Sequence, residues 1–381
     1  MAHFDTAVER RGTNSYKWDT VPEDVLPMFV ADTDWETAPA ALAAVRKRLD
    51  GVPVYAYSKD DEELFGTIIA WFKRLYGLDV PREWILTING IVPALAQLSF
   101  LVDGPALANA PNYVGLLSAP RRAGKKLVTS QLIETVSADN TLSYDFDFDD
   151  MERVAKTEGA EIFLLNNPHN PIGKLYSKRD IEQLADFAER TKQIVISDEI
   201  HCELLLNEGK HIPWFSLAPE NSVSLYSAGK ICNMPAINEA FAVVPDAALR
   251  ERVAAASRRL GGIGPLNLAA AKGGFSEDCD AWKLELNDYL RGNRDYLESE
   301  LKRRLPKLKL PHTEGTYLQW VDFSAYDIDG DVQEYLTKHA KVYLTDGVSF
   351  AGTEKHVRIN FGCPRYRITE ALDRIENAVN I

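Results

Sequence analysis

Six short apolar runs, at 84–88, 106–110, 161–165, 193–197, 222–226 and 240–244, constrain this chain more than any other feature. Each has the length of a strand and is too short for a typical helix. Amphipathic stretches separate several of them, as at 147–157 and 178–190. Strands alternating with helical stretches predict an α/β sheet, largely parallel and covered on both faces. Ligands in such sheets bind beyond the carboxyl ends of the strands. Asn170, Asp198 and Lys230 each follow one of these runs.

The ends of the chain read differently. Residues 1–35 are irregular, with Pro22 and Pro27 as breakers. A helix is predicted over 39–50, with proline in its first turn, and another over 60–76, stopped by Gly77. From about residue 275 a long polar helix (277–304) leads into a strand at 317–323, a helix near 331–340, a strand at 357–361 and a final helix from 367. This predicts a smaller α+β domain. The expected division is a large domain, 45–275, and a discontinuous small one, 1–44 with 276–381. A length of 381 residues suits such a pair.

Composition narrows the partners. The net charge is −13 and no long basic run occurs, which argues against nucleic acid or an anionic membrane as the main partner. The four cysteines, Cys202, Cys232, Cys279 and Cys363, form no C-x-x-C pair, and no histidine cluster has zinc spacing. Reduced thiols in a cytoplasmic protein without a metal site are expected. The amino terminus lacks the basic flank and apolar core of a signal peptide, and no stretch has transmembrane length.

The three residues beyond the strands form a chemical set. Lys230 is an amine that can condense with an aldehyde, Asp198 a carboxylate that can hold a ring nitrogen protonated, and Asn170 an amide that can hydrogen-bond a ring oxygen. Pyridoxal 5′-phosphate (PLP) needs that set. Each residue has an ordinary alternative: a solvated loop lysine, a capping or turn aspartate, a turn asparagine beside proline. His201, three residues after Asp198, points to the same site or serves as a structural histidine.

Longer blocks carry a resemblance. They are Leu26-Pro27-Met28-Phe29-Val30-Ala31-Asp32-Thr33-Asp34-Trp35; Tyr55-Ala56-Tyr57-Ser58; Gly90-Ile91-Val92-Pro93-Ala94-Leu95; Asn167-Pro168-His169-Asn170-Pro171-Ile172-Gly173; Ser197-Asp198-Glu199-Ile200-His201; and Val357-Arg358-Ile359-Asn360-Phe361-Gly362-Cys363-Pro364-Arg365. Through them the chain resembles, nearly end to end, the fold-type I PLP enzymes of the class I/II aminotransferase superfamily. Within these it is most similar to the MalY/PatB group of cystathionine β-lyase type C–S lyases. It departs from the usual pattern at Ile88-Asn89-Gly90, Asn112, Val114-Gly115-Leu116, Gly229 and Ile231-Cys232, and keeps Asn233.

The resemblance implies roles. Lys230 matches the lysine that bonds the cofactor, Asp198 the ring-nitrogen partner and Asn170 the ring-oxygen partner. Tyr113 matches an aromatic stacked on the ring and is assigned to catalysis as well as to cofactor and substrate binding; its bland alternative is a core tyrosine. Gly90, Ile91 and Val92 match a turn that opens a helix toward the phosphate, and Ser227 a phosphate donor. Tyr57 matches a tyrosine reaching the phosphate of a neighbouring subunit, which implies a homodimer with shared sites. Arg358 matches the arginine that grips the substrate carboxylate, a task its planar fork suits; a strand ion pair is the alternative. Asp34 falls with the substrate-binding residues. The implied activity is β-elimination from cystathionine or another cysteine S-conjugate, giving pyruvate, ammonia and a thiol. Transamination by the same residues, or a regulatory partner role on the same fold, are the alternatives.

Overall fold

The computed structural model describes residues 3–50 and 61–380. Its centre is a seven-stranded sheet of β1 (Ile85–Ile88), β2 (Ala106–Ala110), β3 (Leu127–Gln131), β4 (Ile162–Asn166), β5 (Ile194–Asp198), β6 (Ser222–Tyr226) and β7 (Ala240–Val243), in the order β1-β7-β6-β5-β4-β2-β3. The run from β6 to β3 is parallel throughout. β7 is antiparallel to both its neighbours. The reason is local: residues 227–239 contain no crossover helix, so the chain reverses after β6 instead of returning in parallel. Every residue of β2, β4, β5, β6 and β7 is buried. That accounts for the unbroken apolar runs in the sequence. β3 has no such run. It lies at the sheet edge and buries only alternate residues, so its sequence, Leu-Val-Thr-Ser-Gln, does not stand out.

Helices cover both faces: α1 (Pro39–Leu49), α2 (Glu62–Tyr76), α3 (Ile91–Leu98), α4 (Val114–Arg122), α5 (Phe148–Glu158), α6 (Lys178–Thr191), α7 (Ala247–Ser257) and α8 (Pro265–Phe275). α6 shows how local chemistry sets an element. Ser177 and Asp180 form a reciprocal capping box, and Ile181, Leu184, Phe187 and Ala188 make one buried stripe. α2 ends, as its sequence predicts, on Gly77 in the left-handed conformation. α1 and α8 lie in close contact: a Cβ on Gly273 would stand 2.4 Å from the Ala40 carbonyl oxygen.

The chain continues through α9 (Asp280–Arg304), β8 (Leu318–Asp322), α10 (Val332–His339), β9 (Thr345–Asp346), β10 (His356–Asn360) and α11 (Arg365–Val379). β8 and β9 flank β10, both antiparallel to it. The amino-terminal segment returns to these elements. Leu26 and Pro27 pair in parallel with Val342 and Tyr343, and the Asp34 N–H donates to the Gly362 carbonyl. No described helix is long and apolar enough to cross a membrane.

Candidate active site

Parallel β4, β5 and β6 end at one edge of the sheet, with Asn166 opposite Asp198 and Asp198 opposite Leu225. The loops that follow deliver Asn170, Asp198 and Lys230 to that edge. The loop after β4 is braced from below: Asn166 Nδ2 donates to Asn112 Oδ1 and to the Asn170 carbonyl, both at 3.2 Å. Gly173 closes it with φ of 68°, where a Cβ would meet Thr313 at 2.7 Å.

Electrostatics single out the loops after β5 and β6. Asp198 is buried, and burial pushes its carboxyl up to about 6; the Ile200 N–H (3.2 Å) and the charge of Lys230 hold the rise back. Burial also pulls Lys230 down to about 8, helped by the nearby Arg358 and opposed by Asp32 and Asp198. Lys230 Nζ donates to the Ala31 carbonyl at 2.6 Å. An amine in this state is neutral often enough to act as a nucleophile near neutral pH. His201 is buried within the field of Lys230 and Arg358. Burial, then Lys230 and Arg358, lower its pKa, so its ring is neutral, and its Nδ1 has no partner among the described residues.

Arg358 projects from β10 toward the same edge. It is 5% exposed, yet no carboxylate among the described residues pairs with it. Its partners are neutral: Asn170 Oδ1 (3.1 Å), the Phe29 carbonyl (2.7 Å) and Thr345 Oγ1 (3.2 Å). Nε has none, and the guanidinium lies over Phe350. Burial draws its pKa down to about 10, with Tyr113, Tyr317 and Asp346 opposing. A buried cation among neutral acceptors is a receptor for an anion. The bond to Asn170 Oδ1 also leaves that residue's amide N–H groups for another acceptor.

Tyr113 precedes α4, and its ring folds over Gly115, where a Cβ would lie 2.4 Å from the ring. Burial and then the charge of Asp198 raise its pKa, while Arg358 lowers it. Glycine at 115, one of the departures noted in the sequence, is thus the space the tyrosine ring occupies. Gly90, with φ of 85°, opens α3, and the first-turn N–H groups of Ile91 and Val92 have no intrahelical acceptor. Ser227 Oγ donates to Glu239 Oε1 at 2.7 Å.

Two expected residues stand apart. Tyr57 lies outside the described residues. Asp34 is in a buried charge cluster and has no hydrogen bond or ion pair to Lys230 or Arg358: Oδ1 accepts from Lys17 Nζ and Trp18 Nε1, both at 3.0 Å, and Oδ2 from Arg367 at 2.5 Å. Burial alone would raise its pKa, but Lys17 and Arg367 lower it below the usual range. Its oxygens are committed to tying the amino-terminal segment to α11.

Sequence reasoning gave no role to several residues at the site. Tyr317 donates to the Ala31 carbonyl at 3.0 Å. Asn360 donates to the carbonyls of Val30 and Asp32 (2.6 Å for the latter). Asn233, retained three residues after the lysine, accepts from the Thr33 N–H and donates to the carbonyls of Thr33 and Trp35. Behind Asp198, buried Glu199 accepts from the Tyr226 hydroxyl (2.8 Å) and the Trp214 N–H (3.1 Å) and bonds His211 Nε2 (2.6 Å). Asn360-Phe361-Gly362 and Asp198-Glu199 stand plainly in the sequence, but the partners lie far along the chain: backbone carbonyls for Asn360, and His211, Tyr226 and the Trp214 N–H for Glu199.

Comparison with known proteins agrees with this geometry. Residues 26–375 match the family model described as aminotransferase class I and II. Cystathionine beta-lyase PatB of Bacillus subtilis (strain 168) is 31% identical, over 99% of this chain and 100% of its own. Protein MalY of Escherichia coli (strain K12) is 28% identical, over 100% and 99%. The crystal structure of the PLP-bound C–S lyase from Staphylococcus hominis superimposes with a TM-score of 0.91 at 28% identity, covering 99% of this chain and 97% of that one.

Proposed function

The chain belongs to the aminotransferase class I and II family, and from that premise we propose that it is a PLP-dependent C–S β-lyase. It cleaves L-cystathionine or a related cysteine S-conjugate with one water, giving pyruvate, ammonia and a thiol. The observation that carries the reading is the buried, carboxylate-free guanidinium of Arg358 joined to the amide of Asn170, with Lys230 and Asp198 in the same electrostatic field.

The residues fit the cofactor. Asp198 is a buried carboxyl short of a compensating donor, which a protonated ring nitrogen supplies. Asn170 has amide hydrogens to give to a ring oxygen, and Tyr113 a ring to lay on the cofactor. The N–H groups of Ile91 and Val92, with Ser227, suit a phosphate. When bound, PLP supplies an aldehyde carbon for the amine and a conjugated ring that draws electrons from the substrate Cα.

In this reading Arg358 takes the substrate carboxylate and so fixes the direction of the Cα–H bond. Lys230 first holds the cofactor and then, displaced by the substrate amine, moves the proton at Cα. Asp198 keeps a proton on the ring nitrogen. We further propose a cytoplasmic homodimer in which Tyr57 reaches the partner's phosphate; support for this comes from the family resemblance and from four free, buried cysteines. The large and small domains are proposed as 45–275 and as 1–44 with 276–381.

Product analysis tests the activity. Purified protein given L-cystathionine, with no 2-oxo acid, is expected to release pyruvate, ammonia and a thiol. An amino acid formed only with an added 2-oxo acid, without pyruvate, would assign the chain to transamination instead. No product from either, with PLP bound, would favour a regulatory role.

Arg358→Ala tests the carboxylate receptor. Loss of a charge-assisted, two-pronged contact is expected to lower kcat/KM by about 10²-fold or more, mostly through KM. PLP affinity should change far less. An unchanged KM would remove Arg358 from its role.

A further inference from the structure

Glu239 is only an acid before an apolar run in the sequence. In the structure its side chain is buried beneath the lysine loop, 3% exposed. Oε1 accepts hydrogen bonds from Ser227 Oγ (2.7 Å) and from the Ala228 N–H (2.9 Å). Ser227 Oγ accepts in turn from the Gly229 N–H at 3.0 Å. No cation among the described residues makes an ion pair with Glu239. The surroundings on α2, β1 and α8 are Leu64, Ile68, Thr87, Leu268, Ala271 and Phe275: one hydroxyl and otherwise hydrocarbon. Lys283 of α9 acts on Glu239 only as a distant favourable charge and is committed to Glu203 at 2.8 Å. Neighbouring Asn238 lies against Gly90, where α3 begins. The carboxyl therefore sits at the back of the cradle assigned above to the phosphate, on the same hydroxyl.

We propose that Glu239 sets how tightly this chain holds the cofactor phosphate, binding it as a neutral acid and resisting it as a carboxylate. The inference rests on the reading that Ser227 faces the phosphate. The hydrogen-bond polarity gives the mechanism. A serine hydroxyl has one proton to give and two lone pairs. As a carboxylate, Glu239 takes the Ser227 proton, and none is left for the phosphate. As an acid, Glu239 donates to Ser227 Oγ, which then turns its own proton outward. The carboxylate also places a like charge behind a dianion. Burial pushes Glu239 up to about 8, so the change falls in an accessible range.

The test is the PLP dissociation constant of the stripped protein, titrated at pH 7 and pH 9. If only the acid form binds, affinity weakens about tenfold over that interval, because deprotonation above about 8 must be reversed on binding. Glu239→Gln does not titrate, and its carbonyl oxygen keeps the bonds from the Ala228 N–H and Ser227 at every pH, so its profile should lack that tenfold change; pH effects arising at Lys230 are common to both proteins. Identical profiles would overturn the proposal. A second series covers a variant that fails to fold: thermal stabilisation of stripped wild-type protein by inorganic phosphate should shrink from pH 7 to pH 9, and a constant or growing shift refutes it. Ser227→Ala separates the two layers. It should weaken PLP binding at pH 7 and lose the part of the pH dependence that runs through the hydroxyl, keeping only the smaller like-charge part. Weakened binding, with Glu239→Gln still tracking wild type, sinks the inference alone, whereas wild-type binding by Ser227→Ala sinks the phosphate reading with it.

Discussion

Lys230→Ala is expected to lower turnover by about 10⁴-fold or more and to abolish the absorbance of a covalently held cofactor. Two losses combine. In the proposed roles, the substitution removes both the amine that captures PLP and the base that moves the proton at Cα; positioned acid–base catalysis alone contributes about 10²- to 10⁴-fold. The fold should survive, because the side chain makes one hydrogen bond, to the Ala31 carbonyl. An absorbance spectrum identical to that of the wild type would end the assignment. Added small amines should restore part of the turnover if the base is what is missing.

The second large effect is expected at Asp198. Asp198→Asn keeps the size of the side chain and leaves Lys230 to capture PLP, but an amide does not hold the ring nitrogen protonated. Turnover is expected to fall by about 10²- to 10³-fold, with the covalent absorbance retained. Stability without cofactor should move the other way. A carboxyl raised from 3.8 to about 6 disfavours its own ionised form in the folded protein. The folded state thus loses stability as pH rises from 3.8 through about 6, by roughly 3 kcal/mol for a shift of about two units. The stripped Asp198→Asn protein should be more stable than wild type at pH 8 by up to that amount, and equal to it near pH 4. Equal stability of the two at pH 8 would show that Asp198 is already compensated without the cofactor.

Strands β2, β4, β5 and β6 were legible because burial on both faces leaves an unbroken apolar signature. β3 was not, since an edge strand mixes Thr, Ser and Gln with its apolar residues. α4 was hidden by Pro120 inside it and by its short length. The direction of β7 depends on the loop before it, not on its own residues. At the site, Lys230, Asp198 and Asn170 could be found because each follows a recognisable strand. Glu239 could not: its importance comes from a hydroxyl twelve positions away and from the hydrocarbon of α2 and α8, which no local pattern records. Asp34 shows the converse. It stands in a block that resembles a known site, yet its partners are Lys17, Trp18 and Arg367.

The segment from Phe29 to Trp35 meets the site through its main chain. The carbonyls of Phe29, Val30, Ala31, Asp32, Thr33 and Trp35 are bonded by Arg358, Asn360, Lys230, Tyr317 and Asn233. Carbonyls are the same in every residue, so the site reads the path of this ribbon more than its composition. Phe29, Val30 and Ala31 are half-buried, and a size-matched replacement of one of them leaves the acceptors in step. Deleting one residue shifts every later acceptor by a position, and the bonds to the lysine loop, to Tyr317 and to β10 lose their register together. For anyone altering this protein, the half-buried stretch Phe29–Ala31 tolerates a changed side chain better than the ribbon tolerates a changed length.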